Sequence, residues 1–425
     1  MVDYVVIDRD PTPLQNLALI QPDYFAKGYE YTATGVNPKT QEEKVVLESY
    51  GGEIIFTPGD IVYSSSALLE LAPPRIAIEK LMVLMDAEGV TFKDLRGTLG
   101  KMKGLRAHVI GDTIVDSYTY CSMIGGMTKT PTMSVRFQKK TDFVGGAGVV
   151  AKHLRAAGAE VVFSTVLGNE AYKSFVLDDL TTFGVRCLPI IDETRPTTNK
   201  NAIVAESYRL LKVDTLDNRS ISEKVVEQLR RQITGTKSAA VVFSDFRHGI
   251  FNRSTIPELT TAIPNGVFRV ADSQVATRWG NILEFEGFDL LTPNEREARF
   301  ALGDQDSVVR PLARELRKRA KCKTLILKLG DRGTITYRSD SPIDLRAFFT
   351  VDPFADRVVD AVGAGDALLA YATLALVATG NDVIASILGN MAAGIECEHE
   401  GNVPVTPEEV LKKVDAAERQ INYQH

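Results

Sequence analysis

The 425-residue chain is short of the residues that build metal and disulfide frameworks. Its four cysteines, Cys121, Cys187, Cys322 and Cys397, lie too far apart for a metal-type pairing. That excludes zinc-ribbon and disulfide-scaffold classes, and leads us to expect reduced thiols in a cytoplasmic protein. Five histidines, none spaced as a ligand pair, leave no protein-bound zinc site to expect. An excess of positive charge is also lacking. A formal net charge of -6 and the lack of any basic stretch interleaved with aromatics argue against a nucleic-acid partner. Long apolar runs are missing as well: the longest, residues 367–379, is too short to cross a bilayer. No charged segment precedes an apolar core near the N-terminus, so neither a membrane span nor a secretory leader is expected.

What is present is enough chain for two or three domains. Residues 96–104 are small, basic and poorly periodic, and read as a linker. Ahead of them, residues 1–95 read as a smaller α/β region with strands at 4–7, 24–26 and 53–56. Its helices are expected at 13–20, 42–50 and 74–89. Beyond the linker, residues 105–420 alternate strand and helix. Strands are expected at 107–110, 160–165, 239–244, 267–271, 290–291 and 324–329, and helices at 146–157, 294–302 and 308–320, among others. This alternation predicts a doubly wound, mostly parallel sheet covered on both faces, with the chemistry in loops after the strands. Residues 118–143 and 199–213 break the rhythm and read as extended pieces of a small β-lid. Their exposed edges make a homodimer paired through the lid the expected assembly.

The most informative segment is Asp360-Ala361-Val362-Gly363-Ala364-Gly365-Asp366, which opens a long apolar helix. Two glycines permit a tight turn and close backbone approach. The helix behind them presents unpaired N–H groups and a positive dipole end, which together suit a phosphate. A carboxylate at Asp366 would repel that phosphate unless its task is to take a proton from an attacking hydroxyl. After the strand at 290–291, Asn294 and Glu297 fall one turn apart on a helix start, a spacing that suits the water shell of Mg²⁺ as well as ordinary helix capping. After the strand at 324–329, Lys328, Gly330 and Gly333 form a loop fitted to a nucleotide or to a plain strand–turn–strand. Gly145 and Gly146 lead directly into a helix, either for substrate approach or for tight packing.

The order and identity of these segments resemble the ribokinase/PfkB superfamily of carbohydrate kinases over about residues 105–415. The resemblance implies a ribokinase-like fold and ATP-dependent phosphoryl transfer to a sugar or sugar phosphate, with Mg²⁺. It implies Asp366 as catalytic base, the backbone of Gly363, Ala364 and Gly365 as an anion hole, and Asn294 and Glu297 holding Mg²⁺ through water. Gly330 and Gly333, with Lys328 and Asn390, would flank the nucleotide, while Asp116, Gly145 and Gly146 would hold sugar hydroxyls. Within the superfamily the chain is most similar to the kinase half of bifunctional heptose 7-phosphate kinase/heptose 1-phosphate adenylyltransferases. Gly111-Asp112, Asp116 with Tyr118 and Tyr120, Arg195-Pro196-Thr197-Thr198 with Lys200, and Ser244-Asp245 carry that likeness. It adds Asp112 and Lys200 to the substrate set.

The N-terminal stretches Asp3-Tyr4-Val5-Val6-Ile7, Glu48-Ser49-Tyr50-Gly51-Gly52 and Tyr63-Ser64-Ser65-Ser66 resemble the latter part of a cytidylyltransferase-like nucleotidyltransferase. The paired-histidine HxGH loop is missing, so nucleotidyl transfer by this chain alone is not expected. Met1 falls inside that likeness, which leaves open a fragment that docks on a separate nucleotidyltransferase, or lost upstream coding sequence. Two further departures concern the kinase. Val149 stands where the family often has Asn. Heptose kinases also have lysines near the segments Asp245-Phe246-Arg247-His248-Gly249 and Asp272-Ser273-Gln274, where this chain has none. Arg247, His248 and Arg278 are the candidates to hold a substrate phosphate instead, with plain surface charge as the other reading.

Overall fold

In the computed structural model, the described residues are 12–28, 38–57, 76–125, 133–206, 208–274, 282–340, 344 and 346–422. The chain divides into two compact units, Met1–Pro74 and Arg75–His425. The first contains α1 (Leu14–Ile20), β1 (Tyr24–Gly28), α2 (Pro38–Glu48) and β2 (Glu53–Thr57), and its two strands pair in parallel. The expected strand at 4–7 and the 63–66 motif lie outside the described residues.

The second unit opens with α3 (Ile76–Glu88) and α4 (Phe92–Met102), then β3 (Arg106–Gly111), β4 (Thr113–Gly125) and β5 (Ser134–Gly146). Next come α5 (Ala147–Ala156), β6 (Glu160–Leu167), α6 (Ala171–Thr182), β7 (Arg186–Ile191), β8 (Thr198–Ala205) and β9 (Tyr208–Thr215). They are followed by α7 (Glu223–Gly235), β10 (Ala240–Asp245), α8 (Thr255–Thr261), β11 (Phe268–Ser273), β12 (Leu290–Leu291), α9 (Glu295–Leu302) and α10 (Val309–Ala320). The chain ends with β13 (Thr324–Lys328), β14 (Thr334–Tyr337), β15 (Phe348–Val351), α11 (Ala364–Thr379), α12 (Asp382–Cys397) and α13 (Pro407–Asn422).

Nine strands form one sheet in the order β15-β14-β13-β12-β11-β10-β3-β6-β7. All neighbours are parallel except the antiparallel β13–β14–β15 edge. The central strands are apolar on both faces because helices cover both. Val109, Phe163 and Val242 join the core that includes α5, α11 and α12, while Ile110, Phe243 and Leu291 join the one beneath α7, α8 and α10. Helix α11 is buried on every side from Ala367 to Leu376, as its all-round apolar sequence requires. No helix among the described residues is long and apolar enough to cross a membrane. The two segments that broke the rhythm form a separate four-stranded sheet, β5-β4-β8-β9, with the parallel pair β4–β8 at its centre.

Residues 96–104 are a correction. They were expected to be a linker, yet most of them lie in α4. Leu95, Thr98, Leu99 and Met102 recur at helical spacing and are buried, while Gly97 and Gly100 lie on the open side. Thr91 and Asp94 form a capping box at its start, and Arg96 pairs with Asp415 (2.8 Å) and with Glu418. The glycines and basic residues that suggested a linker are the solvent face of an amphipathic helix packed on α11 and α13. Leu95→Ala, at a fully buried position, is therefore expected to cost about 2–5 kcal/mol of stability. Urea denaturation followed by circular dichroism measures it; a change below about 0.5 kcal/mol would mean that α4 does not dock.

Candidate active site

A cavity of about 700 Å³ opens where the carboxyl ends of the parallel strands meet the lid and the start of α11. Gly363 caps α11 in a left-handed conformation (φ 89°), and Ala364 and Gly365 form the first helical positions, whose N–H groups the helix cannot itself satisfy. All three line the cavity, as does Asp366, half-buried and open to it. A side chain on Gly363 would meet Asn402 Oδ1 at 2.4 Å and Glu396 Oε1 at 2.5 Å. The cradle exists only with bare backbone there. Behind Gly363, the fully buried Glu396 accepts the Val403 N–H (3.0 Å) and lies 4.0 Å from buried His153. Burial pushes Glu396 up to about 8 and His153 down to about 3, so both are neutral at pH 7.

Lys328 Nζ lies 3.2 Å from where a Gly365 Cβ would be, and it holds both Asp272 oxygens at 3.1 and 3.3 Å. Asp272 also accepts from Thr292 Oγ1 (3.0 Å). Burial, reinforced by Asp272 and less by Glu297 and opposed by Lys328, pushes the Asp366 carboxyl up to about 7. Such a carboxyl is half-ionised near neutrality, the range in which a side chain is best suited to accept a proton.

Asn294 and Glu297 both line the cavity, locked together by a capping box. Asn294 N and Nδ2 donate to the two Glu297 oxygens (2.8 and 2.7 Å), and Glu297 N donates back to Asn294 Oδ1 (2.9 Å). The helix-cap reading holds, and it also fixes both side chains on the cavity wall. Among the described residues no three acidic, histidine or cysteine side chains converge for direct ligation. A cation held by this pair would have to keep most of its water shell, as Mg²⁺ prefers to.

Lys328, Gly330 and Gly333 line the same cavity, and the turn between antiparallel β13 and β14 bears out the strand–turn–strand reading. Gly333 (φ 72°) packs against β15, where a side chain would meet Val351 O at 2.1 Å. Asn390 reaches the cavity from α12 and is fixed by Thr334 Oγ1 and Ser386 O, both at 2.8 Å.

At the lid end, Asp116, Gly146 and Lys200 line the cavity. Gly145 does not, but it makes room for a neighbour: its missing Cβ would lie 2.0 Å from Asp116 Oδ2. Asp112 is a second correction. Its buried carboxylate is not part of the cavity lining and accepts the N–H groups of Phe246 (3.0 Å), His248 (3.2 Å) and Ile250 (3.4 Å). It fixes the 246–250 loop, because a buried carboxylate needs donors and three aligned amides supply them. Val149, where a polar partner would have been useful, is buried on the cavity wall.

Two of the expected phosphate holders are engaged elsewhere. Arg247 is buried and clasped by Asp245 and Glu284, both at 2.8 Å. His248 hydrogen-bonds Asn218 (2.8 Å), and burial lowers it to about 4, so it is neutral. Arg278 lies outside the described residues. Sequence reasoning missed Lys212, Asp272 and Asn402 on the cavity wall. Alternation along β9 would have found Lys212, which shares a sheet face with Lys200 and Asp116.

Residues 105–409 match the pfkB family carbohydrate kinase model. The bifunctional protein HldE of Desulfatibacillum aliphaticivorans is 29% identical over 328 residues, 75% of this chain and 64% of that protein. HldE of Geobacter metallireducens is 28% identical over 333 residues, 75% of this chain and 65% of its own. The match thus spans less than two thirds of these relatives' length. Two solved structures share the fold. Phosphofructokinase-2 from Escherichia coli in complex with potassium has a TM-score of 0.61, 19% identity, and coverage of 74% of this chain and all of that one. Arabidopsis thaliana ribokinase complexed with ribose and ATP has a TM-score of 0.57, 18% identity, and coverage of 73% and 99%.

Proposed function

The chain belongs to the pfkB family of carbohydrate kinases, a phosphotransferase family with alcohol acceptors, and from that premise we propose that it transfers the γ-phosphoryl group of ATP to a sugar or sugar-phosphate hydroxyl, with a heptose 7-phosphate as first candidate acceptor. The observation that carries the reading is Asp366 beside the bare-backbone cradle in a cavity large enough for both substrates. Its carboxylate takes the proton of the acceptor hydroxyl as that oxygen attacks. The N–H groups of Ala364 and Gly365, with the Lys328 ammonium nearby, offset charge growing on the transferred group. Asn294 and Glu297 are the residues to hold hydrated Mg²⁺, which when bound shields the nucleotide's phosphate charge. Gly330, Gly333 and Asn390 flank the nucleotide, and Asp116 orients the acceptor. The exposed lid residues Phe137, Leu211 and Val213 support a homodimer through the lid. The N-terminal unit supports docking on a separate nucleotidyltransferase only through its sequence likeness.

A panel of sugars and sugar phosphates with ATP, read by ADP release, tests the activity; no acceptor-dependent ADP release from any of them would overturn it. The raised pKa adds a signature. Only the ionised carboxylate accepts a proton, so kcat/KM is expected to fall about tenfold per pH unit below about 7 and to level off above it. A profile flat from pH 5.5 to 8 would remove Asp366 from the proton transfer.

A further inference from the structure

Two fully buried titratable groups that the proposed mechanism does not use sit behind the cradle: Glu396 near the end of α12 and His153 on α5. Glu396 meets the turn from behind, since its Oε1 would stand 2.5 Å from a Gly363 Cβ. The backbone leading into the turn leans on the same end of α12. There Cys397 O accepts the N–H groups of Val359 (2.7 Å) and Asp360 (3.2 Å). Glu396 Oε1 also accepts the Val403 N–H (3.0 Å), which ties in the segment that carries the cavity-lining Asn402. Two residues on, Val405 N donates to His153 Nδ1 (3.4 Å), and Val405 O accepts from Tyr371 of α11 (3.0 Å). With Nδ1 an acceptor, the neutral imidazole carries its proton on Nε2, the nitrogen 4.0 Å from Glu396 Oε1. Glu396 therefore sits where α5, α12, the 402–405 segment and the start of α11 meet.

We propose that Glu396, backed by His153, is a positioning residue for phosphoryl transfer: its carboxyl props the Gly363 turn from behind and ties it to the 402–405 segment. This rests on the kinase reading above and deepens it by naming what aims the N–H groups of Ala364 and Gly365. A carboxyl in that place can serve an anion site only while it is protonated, because a negative charge behind the turn opposes negative phosphoryl oxygens in front of it. Its surroundings favour the protonated form. Burial raises it to about 8 against the pull of the Val403 amide, and Asp366 on α11, Asp360 before it and Glu409 on α13 add negative charge. His153, facing it from α5, is itself neutral and supplies no balancing charge. The competent form is thus present at pH 7 and is lost as pH rises through about 8.

The test follows kcat/KM for ATP above neutrality, with the acceptor that the ADP-release panel identifies. In wild type the plateau is expected to end, with a fall of about tenfold between pH 7.5 and 9.5. Glu396→Gln keeps an acceptor for the Val403 N–H and cannot ionise, so its fall over that range is expected to stay within about twofold. Glu396→Leu removes the acceptor and is expected to lower kcat about tenfold at pH 7.5 with KM for the acceptor little changed, the mark of support lost in the transition state. Glutamine should recover most of that loss. A fall in Glu396→Gln as steep as in wild type would overturn the proposal, as would a folded Glu396→Leu with wild-type kcat. If the leucine variant does not fold, the glutamine comparison decides alone. Calorimetry with ATP separates the two claims. Affinity is expected to weaken about threefold from pH 7.5 to 9.5 in wild type and to hold in Glu396→Gln. That contrast with no turnover of any acceptor would overturn the kinase reading and leave the prop standing. Turnover without the contrast would overturn the prop alone, and no binding of ATP would overturn both.

Discussion

Replacing Asp366 by asparagine is expected to lower kcat by about 10²–10⁴-fold, the range for loss of a general base, while nucleotide affinity changes little. The substitution keeps size and removes only the proton-accepting charge. Asp366 sits on the first turn of α11, where the backbone of Gly363 and Ala364 is set by the turn and not by this side chain: the amides of Asp366 and Ala367 both bond back to Gly363 O at 2.9 Å. The cradle should therefore survive. Two further consequences separate this role from a structural one. The acid limb of the pH profile should vanish with the carboxyl. Thermal stability should hold or rise, since burial and the neighbouring Asp272 make ionised Asp366 costly. Single-turnover quench measurements with labelled ATP read the chemical step directly. Phosphoryl transfer within a few-fold of wild type would refute the assignment.

Gly363→Ala is expected to damage the cradle itself, with kcat lowered by about 10²–10³-fold, the scale for losing one oxyanion-type donor. At φ 89° an alanine costs about 1–3 kcal/mol in backbone strain alone. Its methyl carbon would also have to occupy space 2.4 Å from Asn402 Oδ1 and 2.5 Å from Glu396 Oε1. Glu396 cannot simply swing away, because it is fully buried and carries the Val403 amide. The first turn of α11 must then rotate or retreat, which re-aims the Ala364 and Gly365 N–H groups. Gly365→Ala is the gentler companion, since its new methyl would meet the end of the flexible Lys328 side chain at 3.2 Å. The expected order is wild type, then Gly365→Ala, then Gly363→Ala, in kcat and in melting temperature alike. Gly363→Ala with near wild-type turnover would show that charge on the transferred group is not stabilised by this turn.

Much of this was legible because the signals are local. Strand and helix periodicity placed six strands of the main sheet and the lid segments to within a few residues, since burial on both faces leaves apolar strands between amphipathic helices; it did not mark the edge strands β7, β14 and β15. The Gly363–Asp366 turn and the Asn294–Glu297 pair lie within single turns of chain, where spacing alone dictates geometry. Residues 96–104 misled for a related reason: glycine and lysine on a helix's open face look like a linker until the partner helices cover Leu95, Leu99 and Met102. Asp112 was misread because its three amide donors lie more than 130 residues away, on a loop whose path no local pattern encodes.

The order of residues by itself determined the sheet-and-helix rhythm, the glycine turn that opens α11 and the carboxylate beside it, because each depends on backbone conformation and on neighbours a few positions away. Tertiary structure alone decided which charges were free to act. Arg247 looked available and is clasped by Asp245 and Glu284; Lys212 attracted no notice and stands with Lys200 over the cavity. The physical reason is that a charge's availability depends on which opposite charges the fold brings within a few ångströms, and those come from distant strands whose pairing no local spacing reveals.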